Sequence, residues 1–148
     1  MTLLHALKGV EKLYIETAPL IYYIEENETY LDKMVAVIGA IEDRPISAIS
    51  SVITLTEVLI HPIRNGNKKL ETAYREILNA SEHFELIPVS SVIAESAARL
   101  RASYNFRTPD ALHIATAIAA ECDAFLSNDS IFKRVTDLQI LLLDELES

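Results

Sequence analysis

Short apolar runs along the chain alternate with longer stretches of helical periodicity. Leu13-Tyr14-Ile15 is a continuous apolar run and predicts a buried strand. Ala18 to Glu26 predicts a helix with Pro19 in its first turn, where a missing N–H costs nothing. Thr29 to Ile41 predicts a second helix, with Leu31, Met34, Val35, Ile38 and Ile41 on one face. Ile46 to Ile49 reads as a strand, followed from Ile53 by a helix that Pro62 is expected to bend or end. Asn65-Gly66-Asn67 marks a turn and Lys68 to Ser81 a further helix. Phe84 to Val89 predicts a third strand, and Ser90 or Ser91 caps a helix running through Leu100. Thr108-Pro109-Asp110 opens the next helix, with a Thr cap and an early Pro, and that helix runs to about Glu121. Ala124 to Ser127 and Ile140 to Leu143 complete five strands.

Strands separated by helices predict an α/β fold with a mostly parallel sheet covered on both faces. Sites in such sheets lie outside the carboxyl ends of the strands, near a switch in strand order. The length of 148 residues suits one domain. With 13 Lys and Arg against 22 Asp and Glu, the net charge of -9 excludes a strongly basic nucleic-acid coat protein. The three glycines are too dispersed for a Gly-rich phosphate loop, and the lone Cys122 excludes an intrachain disulfide or a Cys-rich zinc site. His5, His61 and His83 are scattered, and His113 is expected to be structural or solvent-facing. No run is long enough to span a bilayer and no signal peptide is read at the start, so a cytoplasmic location without membrane attachment is expected.

Four acids stand out near the predicted strands. Glu16 directly follows the first strand, and Glu57 lies on the helix after the second. Asp110 sits in the first turn of the helix before the fourth strand, and Asp129 follows that strand. If strands one and four are neighbours, the four carboxylates converge. Crowded carboxylates take up protons or bind cations, and oxygen donors suit Mg²⁺ or Mn²⁺. Each acid also has a plainer role. Glu57 completes a capping box with Thr54, Asp110 favours its helix dipole, Asp129 caps a short helix from Ser130 to Val135, and Glu16 ends a strand.

The chain resembles PIN-domain nucleases of the VapC toxin type in three stretches: Leu13 to Tyr23, Ser50 to Glu57, and Arg107 to Ala117 followed by Phe125 to Asp129. The Thr-Pro-Asp-Ala-Leu-His block with the later Ser-Asn-Asp is the most specific part. The resemblance implies a three-layer α/β/α sandwich over residues 13–148, preceded by an N-terminal extension, residues 1–12. It implies divalent-metal-dependent cleavage of RNA, with Glu16, Glu57, Asp110 and Asp129 at the acidic metal-binding positions. Thr17, Ser127 and Asn128 match supporting polar positions. It also implies a cognate antitoxin and a homodimer. Arg64, Lys68, Lys69 and Arg107 are candidate RNA contacts, with Arg99 and Arg101 near the last of them; all six equally suit a solvated helix face. Surplus apolar surface on the first two helices, Tyr22, Tyr23, Ile24, Leu31 and Val35, suits an antitoxin helix.

Two departures qualify the resemblance. The first acid is usually Asp followed by a small polar residue and Asn, whereas here it is Glu16-Thr17-Ala18. The added methylene moves the carboxylate by about 1.5 Å. The family's first strand also starts close to the initiator Met, so the extension is expected to be a short helix at the sheet edge or the product of an early start codon. Two alternatives stay open: a PIN-like interaction module with impaired catalysis, and a nuclease of housekeeping RNA processing.

Overall fold

A computed structural model describes residues 1–147. The strands are β1 (Lys12–Ile15), β2 (Ser47–Ser51), β3 (Phe84–Ile87), β4 (Ala124–Ser127) and β5 (Gln139–Leu142). The helices are α1 (Leu3–Ala6), α2 (Thr17–Ile24), α3 (Leu31–Asp43), α4 (Val52–Arg64), α5 (Lys68–Arg75), α6 (Ser91–Tyr104) and α7 (Thr108–Ala119).

The strands form one sheet in the order β3-β2-β1-β4-β5, with every neighbouring pair parallel. Alternation along each strand divides the core into two layers. Leu13, Ile15, Ala48, Ala124 and Leu126 face one side with α1 to α5, while Tyr14, Ile49 and Phe125 face the other with α6 and α7. The chain is therefore a three-layer α/β/α sandwich. Both faces of β1 and β4 are covered, which is why these strands are continuous apolar runs in the sequence.

From β1 the chain steps outward through β2 to β3, then returns to place β4 on the other side of β1. The register pairs Tyr14 with Phe125 and Ile15 with Leu126. Glu16 and Asn128 thus leave neighbouring strands at the point where the winding direction changes, and a crevice opens there.

Several local expectations are corrected. The second helix starts at Leu31, because Asn27 first folds a turn by accepting from the Thr29 and Tyr30 N–H groups at 2.9 and 3.2 Å. Pro62 sits in the last turn of α4, which ends two residues later at Arg64, so only one backbone bond is forgone. Ser51 caps that helix through its hydroxyl and the Ile53 N–H at 3.2 Å, so Thr54 lies inside the helix and forms no capping box with Glu57. The stretch from Lys68 to Ser81 divides into α5 and a wider π turn, Glu76–Ala80. Thr108 does not cap α7; its hydroxyl accepts from Arg101 Nη1 at 2.9 Å instead.

The N-terminal segment forms the short helix α1 and packs into the main core. Leu3, Ala6, Leu7 and Val10 are buried in the same cluster as Leu13 and Ile15. The Leu3 N–H donates to the Glu147 carbonyl at 2.8 Å, and the Glu147 N–H donates to the Met1 carbonyl at 3.1 Å. Among the described residues, no helix is long and apolar enough to cross a membrane.

Candidate functional site

The crevice at the carboxyl ends of β1 and β4 holds a polar cavity of about 390 Å³. Glu16, Glu57, Asp110 and Asp129 all line it, together with Asn128, Arg107 and His113. Four stretches far apart in the chain thus bring their acids to one place. Each acid is held by a specific partner.

Glu16 is the N-cap of α2. Its Oε2 accepts from the Ala18 N–H at 3.3 Å, and its Oε1 accepts from the Ser127 hydroxyl at 2.6 Å. Ser127 is fully buried at the end of β4. Asp129 caps the 3-10 turn Ser130–Arg134, with Oδ1 accepting from the Ile131 N–H at 3.0 Å. The capping role and a place in the cavity therefore coexist in one residue. Asn128 accepts from the Asp144 N–H at 2.9 Å, which fixes the loop after β4 to the segment after β5.

Asp110 is buried in the first turn of α7, and its Oδ2 faces the Arg107 Nε at 3.4 Å. The Arg107 side chain is 79% exposed, so its guanidinium stands at the rim.

Glu57 projects from α4 into a hydrogen-bonded cluster. Its Oε1 accepts from the Thr17 hydroxyl at 2.8 Å and is bonded to His113 Nε2 at 2.8 Å. His113 Nδ1 meets the Tyr14 hydroxyl at 2.6 Å. Partial burial pushes the Glu57 carboxyl up, but the His113 contact and the Thr17 bond outweigh it and leave the group below the ordinary carboxylate value. Burial, with the charge of Glu16 nearby, pushes the Tyr14 hydroxyl well above its ordinary value.

The four acids named from the sequence line this one cavity. His113, expected to be structural or solvent-facing, is buried and bonded to Glu57, and Tyr14 was not among the candidates. His113 follows Asp110 by three positions, so the two share a side of α7, and this spacing was the available signal. The cationic candidates separate. Arg107 lines the cavity, whereas Arg64 borders a different, apolar cleft on α4. Lys68 pairs with Glu71 at 3.6 Å, and Lys69 is exposed on α5. Arg101 serves the fold, donating from Nε to the Phe106 carbonyl at 2.7 Å.

The donors around the cavity are carboxylate oxygens, the set preferred by hard divalent cations. Among the described residues, no three His, Cys, Asp or Glu side chains stand close enough together to enclose an ion. Mg²⁺ takes one or two carboxylates directly and keeps several waters. An open polar cavity with acids spread around its wall fits that mode of binding.

A family model for the PIN domain matches residues 13–138. No curated protein matches the sequence. Several solved structures share the fold. VapBC2 from Rickettsia felis, bound to a DNA fragment from its promoter, is 18% identical with a TM-score of 0.67, covering 88% of this chain and 98% of that one. A toxin–antitoxin complex from Klebsiella pneumoniae is 23% identical with a TM-score of 0.67, covering 88% and 97%. VapC20 from Mycobacterium tuberculosis, a toxin that cleaves the sarcin–ricin loop, is 14% identical with a TM-score of 0.69, covering 82% and 93%.

Proposed function

The chain belongs to the PIN-domain family, and from that premise we propose that it is a divalent-metal-dependent endoribonuclease, the toxin of a toxin–antitoxin pair. The observation that carries this reading is the convergence of Glu16, Glu57, Asp110 and Asp129 on one polar cavity at the switch point of the sheet.

Glu16, Asp110 and Asp129 would hold Mg²⁺ or Mn²⁺ directly or through water, with Glu57 completing the set. Such an ion supplies positive charge against a phosphodiester and lowers the pKa of water. The protein's own contribution is placement. Ser127 and the Ala18 N–H hold Glu16, the Ile131 N–H holds one oxygen of Asp129, and Arg107 holds one oxygen of Asp110. Arg107, largely exposed at the rim, is the group suited to meet a substrate phosphate. A cavity that gathers bound cations and one guanidinium lets a chain of net charge -9 receive a polyanion.

Two surfaces support the partner assignments. A groove of about 370 Å³ between α2, α3, α5 and the π turn, with Tyr23, Ile24, Ile38, Ile41 and Ile77 beside Glu42, Glu76 and His83, suits an amphipathic antitoxin helix. Ile60 and Ile63 on α4 are 49% and 55% exposed and offer an apolar contact for a second copy of the chain.

The test is incubation of the purified wild type, Asp110→Asn and Asp129→Asn proteins with total RNA, with and without Mn²⁺. Cleavage that requires the cation and is lost in both variants is expected. Full activity in Asp129→Asn overturns the site assignment. A folded wild type that neither cleaves RNA nor binds Mn²⁺ leaves the interaction-module reading in its place.

A further inference from the structure

His113 is buried at the cavity wall with Tyr14 buried behind it, and the proposed chemistry makes no use of either. Tyr14 lies on β1, its ring stacked on Phe125 with centroids 4.9 Å apart and edge-on to His113 at 5.8 Å. Its hydroxyl meets His113 Nδ1 at 2.6 Å, and His113 Nε2 meets Glu57 Oε1 at 2.8 Å. An ionised carboxylate only accepts hydrogen bonds, so Nε2 carries the proton. In the neutral tautomer that carries its hydrogen on Nε2, Nδ1 is an acceptor and the Tyr14 O–H donates to it. The order is Tyr14 O–H to Nδ1, then Nε2–H to Oε1. The Thr17 hydroxyl donates to the same Oε1 at 2.8 Å. Both donors therefore engage one oxygen of Glu57, and among the described residues no hydrogen bond reaches Oε2.

We infer that Tyr14 and His113 are positioning residues for Glu57: they anchor Oε1 so that Oε2 is the oxygen presented to a divalent cation. The inference rests on the proposed role of Glu57 in cation binding. Glu has several side-chain torsions, and an unanchored carboxylate on a partly buried helix face must be ordered each time an ion binds. Anchoring one oxygen through a buried ring removes that requirement, as outer-shell partners do for ligating groups elsewhere. A ring serving only the core would need partners for its two nitrogens, but no particular relation to the cation.

The test is calorimetric titration of the full chain with MnCl₂, alongside ¹⁵N NMR of the His113 ring. The wild-type spectrum is expected to show hydrogen on Nε2 and an unprotonated Nδ1. His113→Ala is expected to weaken Mn²⁺ binding by about 10–100-fold, the usual effect of losing an outer-shell partner. His113→Gln, whose amide nitrogen donates from the place of Nε2, is expected to recover most of that loss. Tyr14→Phe preserves the stacking on Phe125 and is expected to leave a mixture of ring tautomers and weaker binding. Because His113→Ala opens a cavity, the comparison of His113→Gln and Tyr14→Phe with the wild type carries the test if that variant does not fold. Unchanged Mn²⁺ affinity in folded Tyr14→Phe and His113 variants, with loss in Glu57→Ala, overturns the positioning role alone. Wild-type protein that binds no Mn²⁺ overturns the cation reading and the positioning role with it.

Discussion

The Ser127 hydroxyl donates to Glu16 Oε1 at 2.6 Å and accepts from the Asp129 N–H at 3.1 Å. One buried side chain thus ties together acids on either side of the β1–β4 crevice. Ser127 ends β4, where the strand register places it beside Glu16, so the contact follows from the pairing of Ile15 with Leu126. Hydrogen bonds to charged groups are among the stronger ones in water, at about 1.5–3 kcal/mol.

That contact sets an expectation for Glu16→Asp, which would install the acid usual in the family. Removing one methylene draws the carboxylate back by about 1.5 Å, beyond hydrogen-bond reach of Ser127. A displacement of that size costs on the order of 10²-fold in rate. We expect Glu16→Asp to cleave RNA roughly 10²-fold more slowly than wild type, and Ser127→Ala to lose activity in the same direction. Single-turnover rates at saturating Mn²⁺, with circular dichroism to confirm folding, check this. An equal or faster rate in Glu16→Asp would show that the site is not built around the longer side chain.

Leu3 is fully buried in the core shared by β1, α3 and the C-terminal segment. Truncating such a leucine removes its transfer free energy and leaves a cavity, a combined loss of about 2–5 kcal/mol. Leu3→Ala is therefore expected to lower the urea midpoint clearly while leaving the slope unchanged. Deletion of residues 1–12 removes β1's first residue with the clasp to Glu147 and is expected to yield no cooperative unfolding transition. A midpoint within error of wild type for Leu3→Ala would mean that the N-terminal segment does not stabilise the domain.

Much of the fold was legible because period-2 and period-3.6 patterns follow burial directly. β4 matches its predicted span from Ala124 to Ser127, and β1 differs by one residue. Glu16 and Asp129 are legible because they directly follow strands, and Glu57 and Asp110 because they sit in helices flanking strands, but the convergence of all four depends on β4 lying beside β1, which sequence pattern does not encode. The cap assignments at Thr54 and Thr108 were misread because tertiary partners decide them. Ser51 reaches the helix start first, and Arg101 takes the Thr108 hydroxyl. His113 was set aside for the same reason. An isolated His has no readable partner until β1 brings Tyr14 against α7 and α4 brings Glu57. The short helix of the extension is present as α1, but its burial is not legible from pattern alone, because only the closure of the core puts Leu3 and Leu7 inside it.

At the opposite end of the sheet, Asp123 Oδ2 accepts from the Glu11 and Lys12 N–H groups, both at 2.9 Å. The Lys12 and Glu11 amides hold its carboxyl below the ordinary value of 3.8. The unfolded chain therefore binds the proton more readily than the folded one over the interval between the two values. The stabilisation is complete above the unfolded value and is lost as pH falls through the folded one. Asp123 is exposed, so the effect is modest and screened by salt. Asp123→Ala is expected to be less stable than wild type near neutral pH, with the gap closing below about pH 4. Glu57 also titrates below its ordinary value, but it is common to both proteins and cancels in the difference. Urea unfolding of the two proteins at several pH values between neutral and about pH 3, at low salt, measures the gap directly. A gap that stays constant or widens on acidification would rule out the amide pair as the source of Asp123's contribution.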